Sequence, residues 1–451
     1  MLFAVLKKPD LPDFPEAFDG FELRLDHFDT IDLKEIQTFQ RACAQPLLFT
    51  LRKTSQGGCY KGSEEARLEK IEELFALKPA FFDLEYDTDP AFIVRMKKTF
   101  PEVKVILSYH DFEKTAPDLD LLYEEIAHVP VFAYKIATFA NSSLDALRML
   151  LFVKKRNNVI GLCMGEMGLP TRILGPVIGN LIDYVSLGDP SAPGQLELRD
   201  LTAIYRYPHL NQETALYALI GDPVDASIGH LFHNAFFARE GINAVYFKMV
   251  LKKEELSTFF ALARQLPFVG ISVTMPLKEE VLPDLGAINT LLFTKGEIQG
   301  YNTDGKAAAD AIEKKILLKG KKLVLIGSGG AAKAIAKEVL QRGAQLFIVN
   351  RTAEKAVAIA GERGGGLESL AGLDYDLLVN TTPEAMPIDP DWILPKAIVM
   401  DIRTVPRQTP FLLKAKEKGC QVIYGIEMFL NQAIAQQQIW QETSCHSRMV
   451  Y

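Results

Sequence analysis

The 451-residue sequence predicts an α/β protein in two parts, a (β/α)8 barrel followed by a second α/β unit that ends in a dinucleotide-binding lobe. Three observations carry that prediction. Short apolar runs, eight in number, alternate with helical stretches over about the first 200 residues, the length of a compact barrel. Polar and charged residues collect at the C-terminal ends of those runs, the rim on which such barrels carry their active sites. From residue 321 the chain reads strand, glycine turn, helix and strand, the order of a nucleotide-binding βαβ unit. An open parallel sheet would share the alternation, but eight units favour closure.

The strands of the first part are expected at 2–6, 20–26, 46–52, 80–86, 104–111, 131–138, 159–165 and 184–189. Helical segments such as SEEARLEKIEELFAL and SSLDALRMLLFVKKR lie between most of them. Glu22, Arg24, Arg52, Glu85, His110 and Lys135 fall in or at the ends of these strands, and Ser191 follows the eighth. Lys135 stands out because it interrupts the apolar run VFAYKIATF (131–139), where an ammonium is costly to bury unless paired. Taken alone, it would be read as a side chain snorkelling to solvent. The polar stretch YRYPHLNQET (205–214) closes this part, which sets the first domain at 1–209.

The second part opens with a strand and turn in ALYALIGDP, then a helix in SIGHLFHNAFFAREG and a strand in AVYFKMVL. A helix in KKEELSTFFALARQL, a strand in FVGISVTMP and a hairpin around Lys295-Gly296 complete a lobe at 210–318. KKLVLIGSGGAAKAIAKEVLQRG (321–343) begins the next lobe, 319–424. There Gly327, Gly329 and Gly330 permit a tight turn and close approach to a pyrophosphate. Ala332 takes the last position of the G-x-G-x-x-G/A pattern. The second strand of the unit ends in Asn350-Arg351-Thr352, with Lys355 one turn on, where an NAD site would carry an acid. Two cations there suit the 2′-phosphate of NADP. A flavin site or a purely structural α/β domain could use the same glycine turn.

Composition narrows the class. Apolar residues at 48% and charged residues at 24% are the balance of a soluble globular protein. A net charge of −7 argues against a nucleic-acid partner. No run is apolar enough to span a bilayer, and MLFAVLKKPD is interrupted too soon to be a signal peptide. The five cysteines are scattered and without CxxC spacing, so neither disulfides nor a metal site is expected, and the expected location is the cytoplasm. Oligomeric state is not readable.

From ALIGDP to the last helix, the second part resembles shikimate dehydrogenase. That resemblance implies a substrate lobe, completed by a C-terminal helix at about 425–445, and a Rossmann NADP lobe. In GDPVDASIGHLFHN, Ser227 matches a shikimate-binding serine, while Gly229 stands where a second serine is usual. VTMPLK supplies Thr274 as a ligand contact and Lys278 as the catalytic lysine; GAINT supplies Asn289. YNTDG supplies Asn302 and Asp304, and GIEMFLNQ supplies Gly425 and the substrate contact Gln432. The implied cofactor set is Gly327, Ser328, Gly329, Gly330, Ala331, Asn350, Arg351, Thr352, Lys355, Ile402 and Gly425. Thr404 replaces a tyrosine common in the family, and the span from Lys278 to Asn289 is short. A lysine and a carboxylate suit reduction of a ketone, in which alkoxide charge develops.

The first part resembles type I 3-dehydroquinate dehydratase. FELRLD carries Glu22 and Arg24, FTLRKTSQGG carries Arg52, LSYHDF carries the catalytic His110, and AYKIA carries the Schiff-base Lys135. Arg172 matches the carboxylate-binding arginine, and PSAPGQ provides Ser191 and Gln195 on a closing loop. An iminium stabilises the carbanion formed next to a ketone, and an apolar strand lowers a lysine's pKa toward the neutral amine it requires. Gln56 replaces the family's glutamate and is expected to hydrogen-bond the His110 ring without charge, giving a weaker or pH-shifted dehydratase. Together the resemblances imply a bifunctional enzyme that converts 3-dehydroquinate through 3-dehydroshikimate to shikimate. Two alternatives stay open: one half is a silent scaffold or ligand-binding module, or the dehydrogenase prefers quinate or NAD.

Overall fold

The computed structural model describes residues 1–188, 194–294 and 297–448, with side chains described through residue 442. The chain divides into two compact units. The first is Met1–Ala215 with Gly241–Val245 and Ser257–Pro267; the second is Leu216–Glu240 with Tyr246–Leu256 and everything from Phe268 onward.

The first unit holds eight strands: β1 (Leu2–Leu6), β2 (Gly20–Arg24), β3 (Leu47–Thr50), β4 (Phe81–Glu85), β5 (Lys104–Asp111), β6 (Ala133–Phe139), β7 (Val159–Met164) and β8 (Asp183–Ser186). Their order is β7-β6-β5-β4-β3-β2-β1-β8, and every described ladder is parallel. Among the described residues no ladder joins β7 to β8, so the barrel is nearly rather than fully closed. The free edge of β7 satisfies its main chain with side chains instead. Gly161 N–H donates to Asn180 at 2.9 Å and Cys163 N–H to Thr171 at 2.9 Å.

Side chains alternate along each strand, so residues two apart share a face. Phe3 on β1, Leu48 on β3, Phe81 on β4, Ile106 on β5, Ala133 on β6 and Ile160 on β7 form an apolar floor inside the barrel. Two residues further along four of these strands, the same face carries Thr50, Asp83, Ser108 and Lys135, with Glu22 from β2. All five are buried. One step of strand pleat thus carries Lys135 off the floor into a ring of polar groups.

In the second unit, β9 (Ala215–Gly221), β10 (Ala244–Val250), β11 (Phe268–Val273), β12 (Thr290–Phe293) and β13 (Ile298–Tyr301) form one sheet in the order β10-β9-β11-β12-β13. β12 and β13 run antiparallel, as the hairpin reading requires, although Lys295 and Gly296 at its tip lie outside the described residues. A second sheet has the order β16-β15-β14-β17-β18-β19. Its strands are β14 (Lys322–Ile326), β15 (Gln345–Val349), β16 (Gly364–Gly365), β17 (Leu377–Asn380), β18 (Ile398–Asp401) and β19 (Gln421–Ile423), all parallel.

The C-terminal helix Gly425–Arg448 returns to the first of these sheets. Trp440 donates its indole N–H to Leu291 O at 3.0 Å, and Gln436 bonds Asn289 O and Thr290. Gly425 begins this helix because a Cβ there would lie 2.1 Å from Arg403 O, so only glycine lets the helix start against that backbone.

Two candidate active sites

The mouth of the barrel is a pocket lined by Glu22, Arg24, Arg52, Gln56, His110, Lys135, Arg172 and Gln195, all expected there, together with Tyr184 and Phe112, which were not. Ser191 lies outside the described residues. Lys135 Nζ is 3.4 Å from Asp83 Oδ2 and 3.9 Å from Glu22 Oε1, and 4.1 Å from the centre of the Tyr184 ring. Asp83 is itself held by Arg52 at 2.8 Å and by the Ser108 hydroxyl at 2.6 Å. Thr50 donates to Glu22 at 2.8 Å.

These contacts set the charges. Burial lowers the Lys135 amine from its ordinary 10.5; Glu22 and Asp83 oppose that shift, and the Arg52 and Arg24 cations add to it. Burial alone would raise Asp83, but Arg52 and then Lys135 outweigh it and hold the carboxyl well below its usual range. His110 is pushed well below 6.5 by burial, then by Arg52 and Lys135, so its imidazole is neutral at neutral pH. Its Nδ1 is buried with no hydrogen-bond partner among the described residues. Burial takes Arg172 down to about 10, where it keeps its charge at neutral pH.

Three expectations need correction. Glu85 does not face the pocket: its carboxylate meets Arg67 at 2.7 Å and accepts the Lys53 N–H at 3.0 Å, because the last residue of β4 turns out to satisfy a buried guanidinium. Gln56 does not touch the His110 ring; its side-chain oxygen accepts the His110 main-chain N–H at 3.1 Å and so fixes the strand end rather than the imidazole. The scattered cysteines gave no sign of a ligand cluster, yet folding brings Asp26, His27 and Cys59 within 4.8 Å of one another. Asp26 there serves Arg24, accepting from its Nε and Nη2 at 2.9 and 2.8 Å.

The second unit holds a cleft lined by Ser227, Gly229, Thr274, Lys278, Asn289, Asp304 and Gln432, again as expected, with Ala331, Ile402 and Thr404. Lys278 Nζ contacts Asp304 Oδ2, and Asn289 donates to Asp304 Oδ1 at 2.9 Å. Gln432 Oε1 lies 3.5 Å from the same Asn289 amide. Asn302 is a brace outside the cleft, donating to Ala287 O at 2.7 Å and accepting the Asp304 N–H. A Cβ at Gly229 would lie 3.2 Å from the Tyr246 hydroxyl and 3.3 Å from Ser227 Oγ, so Tyr246 crowds the space a second serine would use.

The glycine turn fits a dinucleotide. Gly327 has φ +113°, a conformation that side chains disfavour. Gly329 is more informative: a Cβ there would meet nothing within 4 Å, so the protein's own packing does not demand glycine, whereas close approach of a ligand would. The helix Gly330–Gln341 starts at this turn with no side-chain cap, leaving its N–H groups for an anion. Ser328 lies in the turn and Ala331 just after it, and Asn350 braces the loop after β15 by donating to Thr352 O at 3.0 Å. Arg351 and Lys355 are exposed and make no ion pair among the described residues, so both are available to a 2′-phosphate.

Comparison with known proteins decides the family. Residues 7–212 match the type I 3-dehydroquinase family, 219–291 the shikimate dehydrogenase substrate binding domain, and 309–381 shikimate/quinate 5-dehydrogenase. The shikimate biosynthesis protein AroDE of Chlamydia pneumoniae is 37% identical over 442 residues, which span 94% of this chain and 90% of that protein. The chain belongs to this two-domain family, a type I 3-dehydroquinase joined to a shikimate dehydrogenase. The bifunctional 3-dehydroquinate dehydratase/shikimate dehydrogenase of Arabidopsis thaliana is 34% identical and spans 94% of this chain and 77% of that one. The shikimate dehydrogenase (NADP(+)) of Pyrococcus furiosus is 36% identical to half the chain, 51%, and is matched over 92% of its length. A solved shikimate dehydrogenase in complex with NADP+ covers the same share at 32% identity and TM-score 0.48.

In the 3-dehydroquinase half, the residues sequence reasoning missed are Asp83 and Tyr184. An acid in the apolar run AFFDLEY is as anomalous as Lys135 in its own, and the same argument would have found it. The depressed pKa of His110 also yields a pH signature. The unfolded ring takes up a proton near 6.5, while the folded ring does so only far lower, so stability falls as pH drops below 6.5. The expected slope is up to about 1.4 kcal/mol per pH unit. Urea unfolding of the intact chain at pH 7.5, 6.5 and 5.5 should show His110→Gln losing less stability than the unchanged chain; equal losses would contradict the burial of a neutral imidazole.

Proposed function

We propose that the barrel half removes water from 3-dehydroquinate to give 3-dehydroshikimate, and that the second half reduces that ketone with NADPH to shikimate. The observation that carries the reading is the buried amine of Lys135, 3.4 Å from a carboxylate shared with Arg52 and in one pocket with a neutral histidine. Amine, base and cations are the groups an imine-assisted elimination needs.

In this reading the Lys135 amine adds to the ring ketone and water leaves, forming an iminium. His110 removes a proton from the neighbouring carbon, and the electron pair moves into the iminium as an enamine. The protonated His110 then gives its proton to the departing hydroxyl, and hydrolysis of the conjugated imine frees Lys135. Arg172 binds the ring carboxylate, while Glu22, Arg24, Ser191 and Gln195 hold the ring hydroxyls. Arg52 acts mainly by keeping Asp83 ionised.

In the second half, Lys278 hydrogen-bonds the substrate ketone and supplies a proton as its oxygen gains charge, with Asp304 positioning it. Asn289, Gln432, Ser227 and Thr274 orient the substrate. NADPH, when bound, supplies the hydride. Gly327, Ser328, Gly329, Gly330 and Ala331 would hold its pyrophosphate, with Asn350, Arg351, Thr352 and Lys355 at the 2′-phosphate and Ile402 and Gly425 at the nicotinamide end. The domains are set at 1–209, 210–318 with the C-terminal helix, and 319–424. We place the protein in the cytoplasm; among the described residues no helix is long and apolar enough to cross a membrane.

Borohydride added during turnover of 3-dehydroquinate should leave ligand-derived mass on the peptide carrying Lys135. Unmodified Lys135 under full turnover would contradict the imine. In the reductase, Arg351→Ala should raise KM for NADPH about 10- to 100-fold, as expected for loss of a charged hydrogen bond, and leave NADH use unchanged. Equal losses with both cofactors would contradict the assignment.

A further inference from the structure

The barrel pocket contains one polar group that neither the fold nor the mechanism above employs. Tyr184 on β8 lies with its ring against Lys135, the Nζ 4.1 Å from the ring centre. Its hydroxyl is buried and has no hydrogen-bond partner among the described residues. Most polar groups of the pocket are committed: Glu22 accepts from Thr50, Asp83 from Arg52 and Ser108, and Arg24 donates to Asp26. A phenylalanine would give Lys135 the same aromatic face without leaving a buried hydroxyl unpaired. The ring alone therefore does not account for a tyrosine here, but a ligand oxygen would.

The position narrows which oxygen. When the Lys135 amine bonds the ketone carbon, the oxygen on that carbon is two bonds from Nζ, within the space that Tyr184 lines. That oxygen gains charge as the amine adds. Tyr184 stays protonated, because burial and then the Glu22 and Asp83 charges push its ionisation well above 10, so it can donate but not act as a base.

We propose that the Tyr184 hydroxyl donates a hydrogen bond to the substrate's ketone oxygen while Lys135 adds to that carbonyl, and holds the oxygen until it leaves as water. The inference rests on the imine reading above. The balance is simple. The amine's lone pair forms the C–N bond and the carbonyl π pair moves to oxygen. One ammonium proton passes through His110 to that oxygen, and a solvent proton relayed by the same imidazole follows as the nitrogen lone pair closes the C=N bond, so the iminium keeps its N–H. The C–O pair departs with water, and Tyr184 keeps its own proton throughout. A preorganised donor at such an oxygen strengthens its hold as charge develops, which is where a rate effect arises.

The test is Tyr184→Phe in the full chain, mixed rapidly with 3-dehydroquinate, quenched with borohydride at set times and followed by the mass of the Lys135 peptide. Adduct formation at saturating substrate should slow by about 10- to 100-fold. The melting temperature of the ligand-free variant should equal or exceed that of the unchanged chain, since an unpaired hydroxyl has been removed. Adduct formation at the unchanged rate, or a rise in KM alone, would overturn the proposal. A lower melting temperature with every step slowed alike would make Tyr184 structural and overturn it too. If the unchanged chain itself forms no Lys135 adduct, the imine reading falls and this inference with it.

Discussion

A lysine must be kept dry inside the barrel without being locked into its charged form, and the first site is arranged around that constraint. An ammonium at 3.4 Å from a carboxylate gains about 5 kcal/mol at an effective dielectric of 20, close to the several kcal/mol that taking it out of water costs. Neither effect dominates by itself, so the balance falls to the neighbours. Asp83 is shared: Arg52 sits at 2.8 Å and Ser108 at 2.6 Å, so part of its charge is already engaged. Arg52 also repels Lys135. The net result shifts the amine toward its neutral form while two carboxylates still anchor the side chain.

The same arginine reaches a second group. Arg52 and Lys135 are the charges that, after burial, hold His110 neutral. One guanidinium thus prepares both the nucleophile and the base, and it does so from a position expected at first to meet the substrate. The dehydrogenase cleft uses a different arrangement. Lys278 has a carboxylate that Asn289 orients, and Asn289 is in turn tied by Gln436 to the C-terminal helix. The last helix therefore helps to shape a cleft whose lysine and carboxylate lie more than a hundred positions earlier in the chain.

Much of this was legible in the sequence because strand periodicity and motif spacing are local. Eight apolar runs gave eight strands, KVILSYHD spans β5 over the residues expected, and the pleat that turns Lys135 inward follows from Ala133 and Ala137 on either side. Residues set by distant partners were harder. Glu85 shares Asp83's face by period, and only the position of Arg67, eighteen residues away, shows that it points elsewhere. Gln56 could not be assigned between a ring and a main-chain N–H, since both are within reach of the same loop. Gly229 stood where a second serine is usual; Tyr246, on β10, supplies the crowding that accompanies it. The incomplete barrel closure was illegible for a similar reason, because Asn180 and Thr171 replace a ladder with side-chain bonds.

The account stands on the charge state of one nitrogen, which can be observed directly. With lysines labelled at Cε and the Lys135 resonance assigned by its loss in Lys135→Met, titration of the ligand-free chain by nuclear magnetic resonance gives that group's midpoint. A midpoint clearly below the ordinary 10.5 is the result the buried site requires. A midpoint at or above 10.5 would mean that Asp83 and Glu22 keep the amine charged, and the nucleophile would have to be sought elsewhere.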